Sequence, residues 1–354
     1  MTNGAVKLSC KDIWKVYGQD PERFFSDPNA TSDAKGLAQT MRAEGAIPAA
    51  ANVSFDVNAG EIFVIMGLSG SGKSTIVRCL SRLVEPTHGE ILLDGEDLLK
   101  KSAKDLIDIR RHKMGMVFQN FGLLPHLTVI ENISFPLRLQ GLGLAEQRER
   151  ANRVIELVGL TGRESSYPTQ LSGGQQQRVG IARSLAVEPE LWFLDEPFSA
   201  LDPLIRRQMQ DEFLRIQQVL KKSIVFITHD FLEALRIADR MMIMRDGMVV
   251  QIGTPAELIV NPADDYIAEF TSDVPLVRVL QAGDVAVKGA VKTADMPEVA
   301  STETVEQLLP QLAQHDAGIA VNDGGTPLGV VTAQSVVSAL AREAASRQSH
   351  GEPS

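Results

Sequence analysis

Residues 67–75 read Gly-Leu-Ser-Gly-Ser-Gly-Lys-Ser-Thr, a complete match to the pattern in which a glycine-rich loop, a lysine and a hydroxyl grip phosphate. Gly67, Gly70 and Gly72 let the backbone turn tightly and bring its N–H groups, with those of Leu68, Ser69 and Ser71, against an anion. Lys73 is then expected to reach the β- and γ-phosphates of ATP. The Ser74 hydroxyl is expected on Mg²⁺, with Thr75 a second hydroxyl nearby. A chance match is the competing reading, and the flanks argue against it: the apolar run Ile62–Met66 reads as a buried parallel strand, and Ile76–Leu80 continues as a helix.

A second acidic pair follows another apolar run. Leu191–Leu194 ends in Asp195 and Glu196. An acid at the tip of a neighbouring parallel strand suits a metal partner, which is the role expected for Asp195, and Glu196 beside it is placed to polarise the attacking water. The plainer alternative is that both carboxylates cap the turn Pro197-Phe198-Ser199. A third run, Ser223–Thr228, delivers His229 to the carboxyl edge where open α/β sheets bind ligands. His229 is expected to sense the γ-phosphate, and a helix with Phe231, Ala234, Leu235 and Ala238 on one face follows it.

The segment Leu171–Leu185 separates this chain from a kinase or a GTPase. Ser172 and Gln175 have capping-box spacing, and Val179, Ala182 and Ala186 share a helix face. Ser172, Gly173 and Gly174 therefore head a second helix with free N–H donors, a second place suited to an anion. A well-capped surface helix would have the same spacing.

Taken together these runs resemble the nucleotide-binding subunit of ATP-binding-cassette (ABC) transporters over roughly residues 45–270 and the first strand. The resemblance implies a P-loop (RecA-like) α/β core with antiparallel β and helical subdomains, and two copies that clasp ATP head to tail, Ser172–Gln175 of one closing on the phosphate loop of the other. It implies that Tyr17 stacks on adenine, that Gln119 in Val117-Phe118-Gln119 touches Mg²⁺ and water, and that Ser199-Ala200-Leu201-Asp202 crosses between subunits. The catalytic set implied is Glu196, His229, Gln119 and Lys73, and the metal set Ser74, Gln119 and Asp195. The runs Glu61–Gly72 and Leu201–Arg207, and the break between Tyr17 and the strand near Val53, resemble the ATPases that drive uptake of glycine betaine, proline betaine and related quaternary amines. Choline, carnitine or trimethylamine N-oxide would suit the same motor. The partners implied are membrane permease subunits and a substrate-binding protein.

The elements that must position these groups divide the chain into an ATPase domain at 1–270, with an insertion at 19–49 and a helical subdomain at about 97–190, then a small α+β domain at 275–343 and a disordered tail at 344–354. Residues 19–49 read as loop followed by a short helix, or as a solvated excursion without a role. In the helical subdomain Ala151, Val154, Ile155 and Val158 form one face. Phe121–Leu127 places apolar residues in a loop, either as small-core contacts or as the groove for a permease helix that the resemblance implies.

The chain carries a net charge of −10, an estimated pI of 5.2 and no apolar stretch near the ~20 residues that cross a bilayer. It shows no Lys/Arg stripe, which argues against nucleic acid as partner. No secretory leader is expected, and a peripheral place at the cytoplasmic face of the cell membrane follows from the resemblance. Cys10 and Cys79 are expected as reduced core residues. In the tail, Ala317–Val321 and Leu328–Val331 flank Asn322-Asp323-Gly324-Gly325, a hairpin signal. With the helix after them they resemble one CBS motif, although Pro310 lies inside the expected helix Val305–Leu312, where it costs ~3 kcal/mol or a kink. Such a domain would sense ionic strength or a nucleotide, or act as a passive dimerisation piece. Residues 271–354 hold ten acids against five bases, which argues against attraction to anionic lipid. Two other classes remain open: a non-transport ABC ATPase and a small-molecule kinase.

Overall fold

A computed structural model describes residues 5–27, 29–117, 122–199, 201–290 and 296–350, with side chains to residue 341. The chain enters on β1 (Val6–Tyr17), passes two short 3₁₀ turns and α1 (Ala34–Ala43), and returns along β2 (Ile47–Asn58). Strand β3 (Ile62–Met66) leads through the glycine-rich loop into α2 (Lys73–Leu80), then come β4 (His88–Leu93), β5 (Glu96–Asp97), α3 (Ala103–His112) and β6 (Met114–Val117). Three helices follow, α4 (Val129–Leu139), α5 (Leu144–Leu157) and α6 (Gly173–Leu185), and then β7 (Leu191–Asp195), α7 (Pro203–Leu220), β8 (Ser223–Ile227), α8 (Phe231–Ile237), β9 (Arg240–Arg245) and β10 (Met248–Gly253).

These elements make two sheets. The order β2-β1-β4-β5 is antiparallel, and the order β10-β9-β3-β8-β7-β6 carries parallel pairing between β9, β3, β8, β7 and β6. Each residue of β3, β7 and β8 is buried, as strands covered on both faces must be, so they are continuous apolar runs rather than alternating ones. Phe55 of β2 stacks on Phe63 of β3 with ring centroids 4.7 Å apart, and one core joins the two sheets through Ile65, Val77, Ile91, Phe193 and Val225. Cys10 and Cys79 lie in that core as free thiols. Burial pushes the Cys10 thiol far up and the Cys79 thiol to about 12, so neither is a thiolate at neutral pH.

The insertion has its own packing. Ala38 and Met41 of α1 cover Trp14, Val16 and Ala51, the Asp33 carboxylate caps α1 by accepting from Gly36 N–H at 3.0 Å, and Phe25 stacks on His88 at 4.7 Å. Strand β2 starts at Ile47, inside the 19–49 stretch read as insertion, because Ile47 pairs directly with Tyr17. The stretch read as a helical subdomain is likewise narrower: β6 pairs with β7 in the main sheet, and the helices packed on one another are α4, α5 and α6. Ala151, Val154, Ile155 and Val158 are all buried.

The chain divides into two compact units at Ile252 and Gly253, earlier than the expected boundary near residue 270. The second unit holds α9 (Pro255–Val260), α10 (Asp265–Phe270), α11 (Ala282–Val285), β11 (Val287–Lys288), β12 (Glu298–Ala300), α12 (Val305–Leu312), β13 (Ile319–Asp323), β14 (Thr326–Val331) and α13 (Ala333–His350). Its sheet runs β11-β14-β13-β12, with β12 parallel to β13 and β13–β14 a hairpin. Helix α12 forms across Pro310: the proline lacks only one backbone donor, and Val305, Leu308 and Leu312 bury the helix in the unit's core. Residues 344–350, read as disordered, continue α13. Ala344, Ala345, Arg347 and Gln348 are strong helix formers that extend a helix already anchored by Val336 and Ala339.

Candidate functional site

The glycine-rich loop is shaped by close backbone approach. A Cβ on Gly67 would stand 2.3 Å from the Met244 carbonyl oxygen, and one on Gly72 would stand 2.2 Å from that of Ala49. Both residues also have positive φ, +147° and +98°, so only glycine fits at either place. Gly67→Ala is expected to cost about 2 kcal/mol or more of stability, measured as a lower urea midpoint with unchanged slope.

Lys73 and Ser74 open α2, directly above the loop. Lys73 Nζ donates to the carbonyl oxygens of Gly67 and Leu68 at 2.8 and 2.9 Å, which holds the ammonium over the loop's concave side. Burial lowers its pKa, while Glu196 and Asp195 pull it the other way. Ser71 Oγ is buried and has no hydrogen-bond partner among the described residues.

Asp195 ends β7, and its Oδ1 accepts from Ser74 Oγ at 3.1 Å. Burial raises its pKa, against the Ser74 bond and Arg78. The next residue, Glu196, has a left-handed backbone (φ 46°), an uncommon state for a non-glycine residue. Its N–H donates to Ile227 O of β8 at 3.1 Å, and its Oε2 lies 3.2 Å from His229 Nδ1. Because β8 lies between β3 and β7, the carboxyl ends of three strands converge here. Lys73, Ser74, Thr75, Glu196 and His229 line one open cleft of about 620 Å³ together with the loop.

The remaining sequence-expected residues lie elsewhere. Tyr17 ends β1, 44 % exposed, with Lys15 Nζ 5.0 Å from its ring centre. Ser172 caps α6 in a full capping box with Gln175: Gln175 N–H donates to Ser172 Oγ at 3.3 Å and Ser172 N–H donates to Gln175 Oε1 at 3.0 Å. Neither Ser172 nor Gln175 lines the Lys73 cleft of its own chain. A Cβ on Gly174 would meet Ile205 of α7 at 2.8 Å, so this glycine is also a packing requirement. Asp202 caps α7, its Oδ1 accepting from Leu204 and Ile205 N–H at 3.2 and 3.1 Å. Gln119 and Ala200 lie outside the described residues.

Two features escaped the sequence reading. Glu233 is 6 % exposed, although it lies off the Phe231, Ala234, Leu235 and Ala238 face of α8. Its carboxyl accepts from Gln210 Nε2 at 3.0 Å, and burial raises its pKa. Arg206 of α7 pairs with Asp230 at 3.3 Å. Nothing local announced either: Glu233 is covered by Gln210 of α7, and Arg206 and Asp230 come from separate segments.

The donor set suits a hard divalent cation that brings phosphate and water oxygens with it. Among the described residues no cluster of three or more His, Cys, Asp or Glu could cage a metal, whereas Ser74 Oγ and Asp195 Oδ1 converge beside the phosphate loop. Mg²⁺ is typically held by one or two carboxylates plus substrate phosphates in just this manner. A buried ammonium, a ring of N–H donors at a helix start, and a carboxylate next to an imidazole can position a polyphosphate and a water for in-line attack.

Comparison with known proteins identifies the family. The family model "ABC transporter" matches residues 50–199. The chain is 52 % identical over 344 residues to the trimethylamine N-oxide transport system ATP-binding protein TmoW of Ruegeria pomeroyi, covering 97 % of this chain and 96 % of that one. It is 43 % identical over 340 residues to the glycine betaine/proline betaine transport system ATP-binding protein ProV of Salmonella typhimurium, covering 96 % of this chain and 84 % of that one. Among solved structures, the dimeric post-hydrolysis state of the ATP-binding cassette MJ0796 bound to ADP and Pi is 32 % identical with a TM-score of 0.58, covering 70 % of this chain and 98 % of that chain.

Proposed function

Because this chain belongs to the ABC transporter family of ATP-hydrolysing subunits, we propose that it powers import of a quaternary amine or a methylated amine oxide through a separate membrane permease. Trimethylamine N-oxide and glycine betaine are the first candidates, since the relatives that match nearly the whole chain are named for them. Choline and carnitine are the next. The observation that carries the motor reading is the meeting of Lys73, Ser74, Glu196 and His229 in one cleft at the carboxyl ends of β3, β7 and β8.

The roles follow from that geometry. Lys73 and the N–H groups of residues 67–75 hold the triphosphate, and its charge is spread over donors fixed before the substrate arrives. Ser74 and Asp195 would hold Mg²⁺, with Gln119 as a further partner, and the ion would supply charge neutralisation at the phosphate oxygens. Glu196 accepts a proton from the attacking water, and His229, 3.2 Å away, orients that carboxylate and contacts the γ-phosphate. Tyr17 offers an exposed ring for the adenine. The α6 start of a second copy, Ser172–Gln175, completes the cleft that its own chain leaves open, so two chains act as a dimer.

Permease contact is assigned to the apolar groove of about 480 Å³ lined by Ile107, Met114, Leu124, Phe135 and Leu139. The buried Asn132 amide pins the loop that presents Leu124, accepting from Leu124 N–H at 2.8 Å and donating to the Leu124, Leu127 and Thr128 carbonyls. Membership also implies a peripheral place on the membrane. No helix of the described residues is long and apolar enough to cross one; on the family reading the permease supplies the path, and it and a binding protein choose the substrate. The second unit's β12-α12-β13-β14-α13 order resembles one CBS motif, and we assign it regulation of the motor by ionic strength or a nucleotide.

The test is uptake into vesicles holding the chain, its permease and its binding protein. MgATP should drive accumulation of trimethylamine N-oxide or glycine betaine. Leu124→Glu should abolish that uptake while the isolated subunit keeps its ATP affinity. Uptake unchanged by Leu124→Glu would dismiss the groove, and no uptake of any methylated amine would dismiss the substrate class.

A further inference from the structure

Arg206 sits one turn into α7, its N–H bonded to the Asp202 carbonyl at 2.8 Å, and its guanidinium points in two directions. One arm, Nη1, donates to Asp230 Oδ2 at 3.3 Å, and the other, Nη2, donates to the Leu201 carbonyl at 3.2 Å. The side chain is about one-third exposed, so the ion pair by itself contributes little Coulombic stability. Its value lies in what the two arms connect.

Asp230 follows His229 directly. Its other oxygen accepts from Glu233 N–H at 3.1 Å and so caps α8, while its own N–H donates to Thr228 Oγ1 at 3.0 Å. The turn that carries His229 is therefore fixed on both sides. Leu201 belongs to the loop between Glu196 and α7. That loop is stapled at its start by Ser199, whose N–H and Oγ donate to the Glu196 carbonyl at 3.3 and 3.0 Å, and at its end by Arg206. Glu196, Ser199, Arg206, His229 and Asp230 enclose a cavity of only about 10 Å³, leaving little slack between the parts.

We propose that Arg206 is a positioning residue for hydrolysis, locking Leu201 and the start of α7 to the His229 turn so that a change at either is felt at the other. This rests on the ATPase reading above. A lysine cannot reproduce it, because an ammonium is a point charge whereas the guanidinium presents a rigid fork with separate donors. Asp230→Asn is the matched partner variant, since asparagine keeps the α8 cap and removes only the charge.

The test uses the full chain and MgATP. Arg206→Gln should lower kcat by roughly tenfold or more, the scale expected when a reacting group is misplaced from a distance. KM for ATP and the melting temperature should stay near wild type, the pattern of an interaction needed only in the transition state. Arg206→Lys should recover only part of the loss. The double variant Arg206→Gln, Asp230→Asn should be no worse than Arg206→Gln alone, because both changes break one link. A kcat within about twofold of wild type, losses that multiply in the double variant, or a joint change of kcat, KM and melting temperature would each overturn the proposal. A wild-type chain that turns over no ATP would instead overturn the ATPase reading beneath it.

Discussion

Glu196→Gln is expected to slow ATP turnover by about 10²–10⁴-fold, the usual contribution of a positioned general base, while MgATP affinity stays close to that of the parent. The substitution keeps the shape of the side chain and removes only its capacity to take a proton. The groups that hold the phosphates, Lys73 and the loop N–H donors, are untouched. The strained backbone at Glu196 should also survive, since it is held by Ile227 O through the residue's own N–H and by Ser199 through its carbonyl. Single-turnover kinetics with equilibrium binding of a labelled nucleotide would separate the two effects. Equal loss of binding and turnover would show that Glu196 builds the site and does not activate water.

The second large effect concerns the helix start at Ser172, which is absent from the cleft of its own chain. Ser172→Arg fills that start with a bulky cation and should reduce turnover by roughly 10²-fold or more, as loss of preorganised donors does. Lys73→Ala should be at least as damaging, by loss of phosphate contact. Mixing the two inactive proteins should restore activity. In a mixed pair, the phosphate loop of the Ser172→Arg chain meets the intact α6 start of the Lys73→Ala chain, giving one complete site and one doubly defective site. Titrating one variant into the other should therefore give a rise and fall in ATPase rate with a maximum near equal amounts. A flat, inactive mixture would place the whole site within one chain.

Much of this was legible in the sequence because the grammar of the site is local. A buried strand needs an unbroken apolar run, the loop needs glycine where Met244 O and Ala49 O press against the backbone, and α2 and α6 announce their starts by residue type within four positions. Three features were not legible, each for a distance-dependent reason. The Arg206–Asp230 pair joins a residue of α7 to the cap residue of α8, which no periodicity encodes. Glu233 reads as solvent-facing until Gln210 of α7 covers it. The division at Ile252 and Gly253 depends on which neighbours the chain meets after β10, whereas the expected boundary near residue 270 came from the family's usual ending. Ile47 carried a weaker signal: it is 65 % exposed, so its place in β2 comes from pairing with Tyr17 and not from burial. At the helical end of α13 the polar and small residues read as disorder, yet alanine and arginine extend a helix that is already nucleated.

In the mechanism proposed above, nucleotide is held across a seam between two copies of this chain. Sedimentation of the Glu196→Gln protein, with and without MgATP, tests it most directly: slow turnover leaves the clasped state intact long enough to be measured. The expected result is a monomer in the absence of nucleotide and a dimer carrying two ATP per pair once MgATP is added, reverting to monomer when Ser172→Arg is introduced into the same protein. A chain saturated with MgATP that still sediments as a monomer would contradict it.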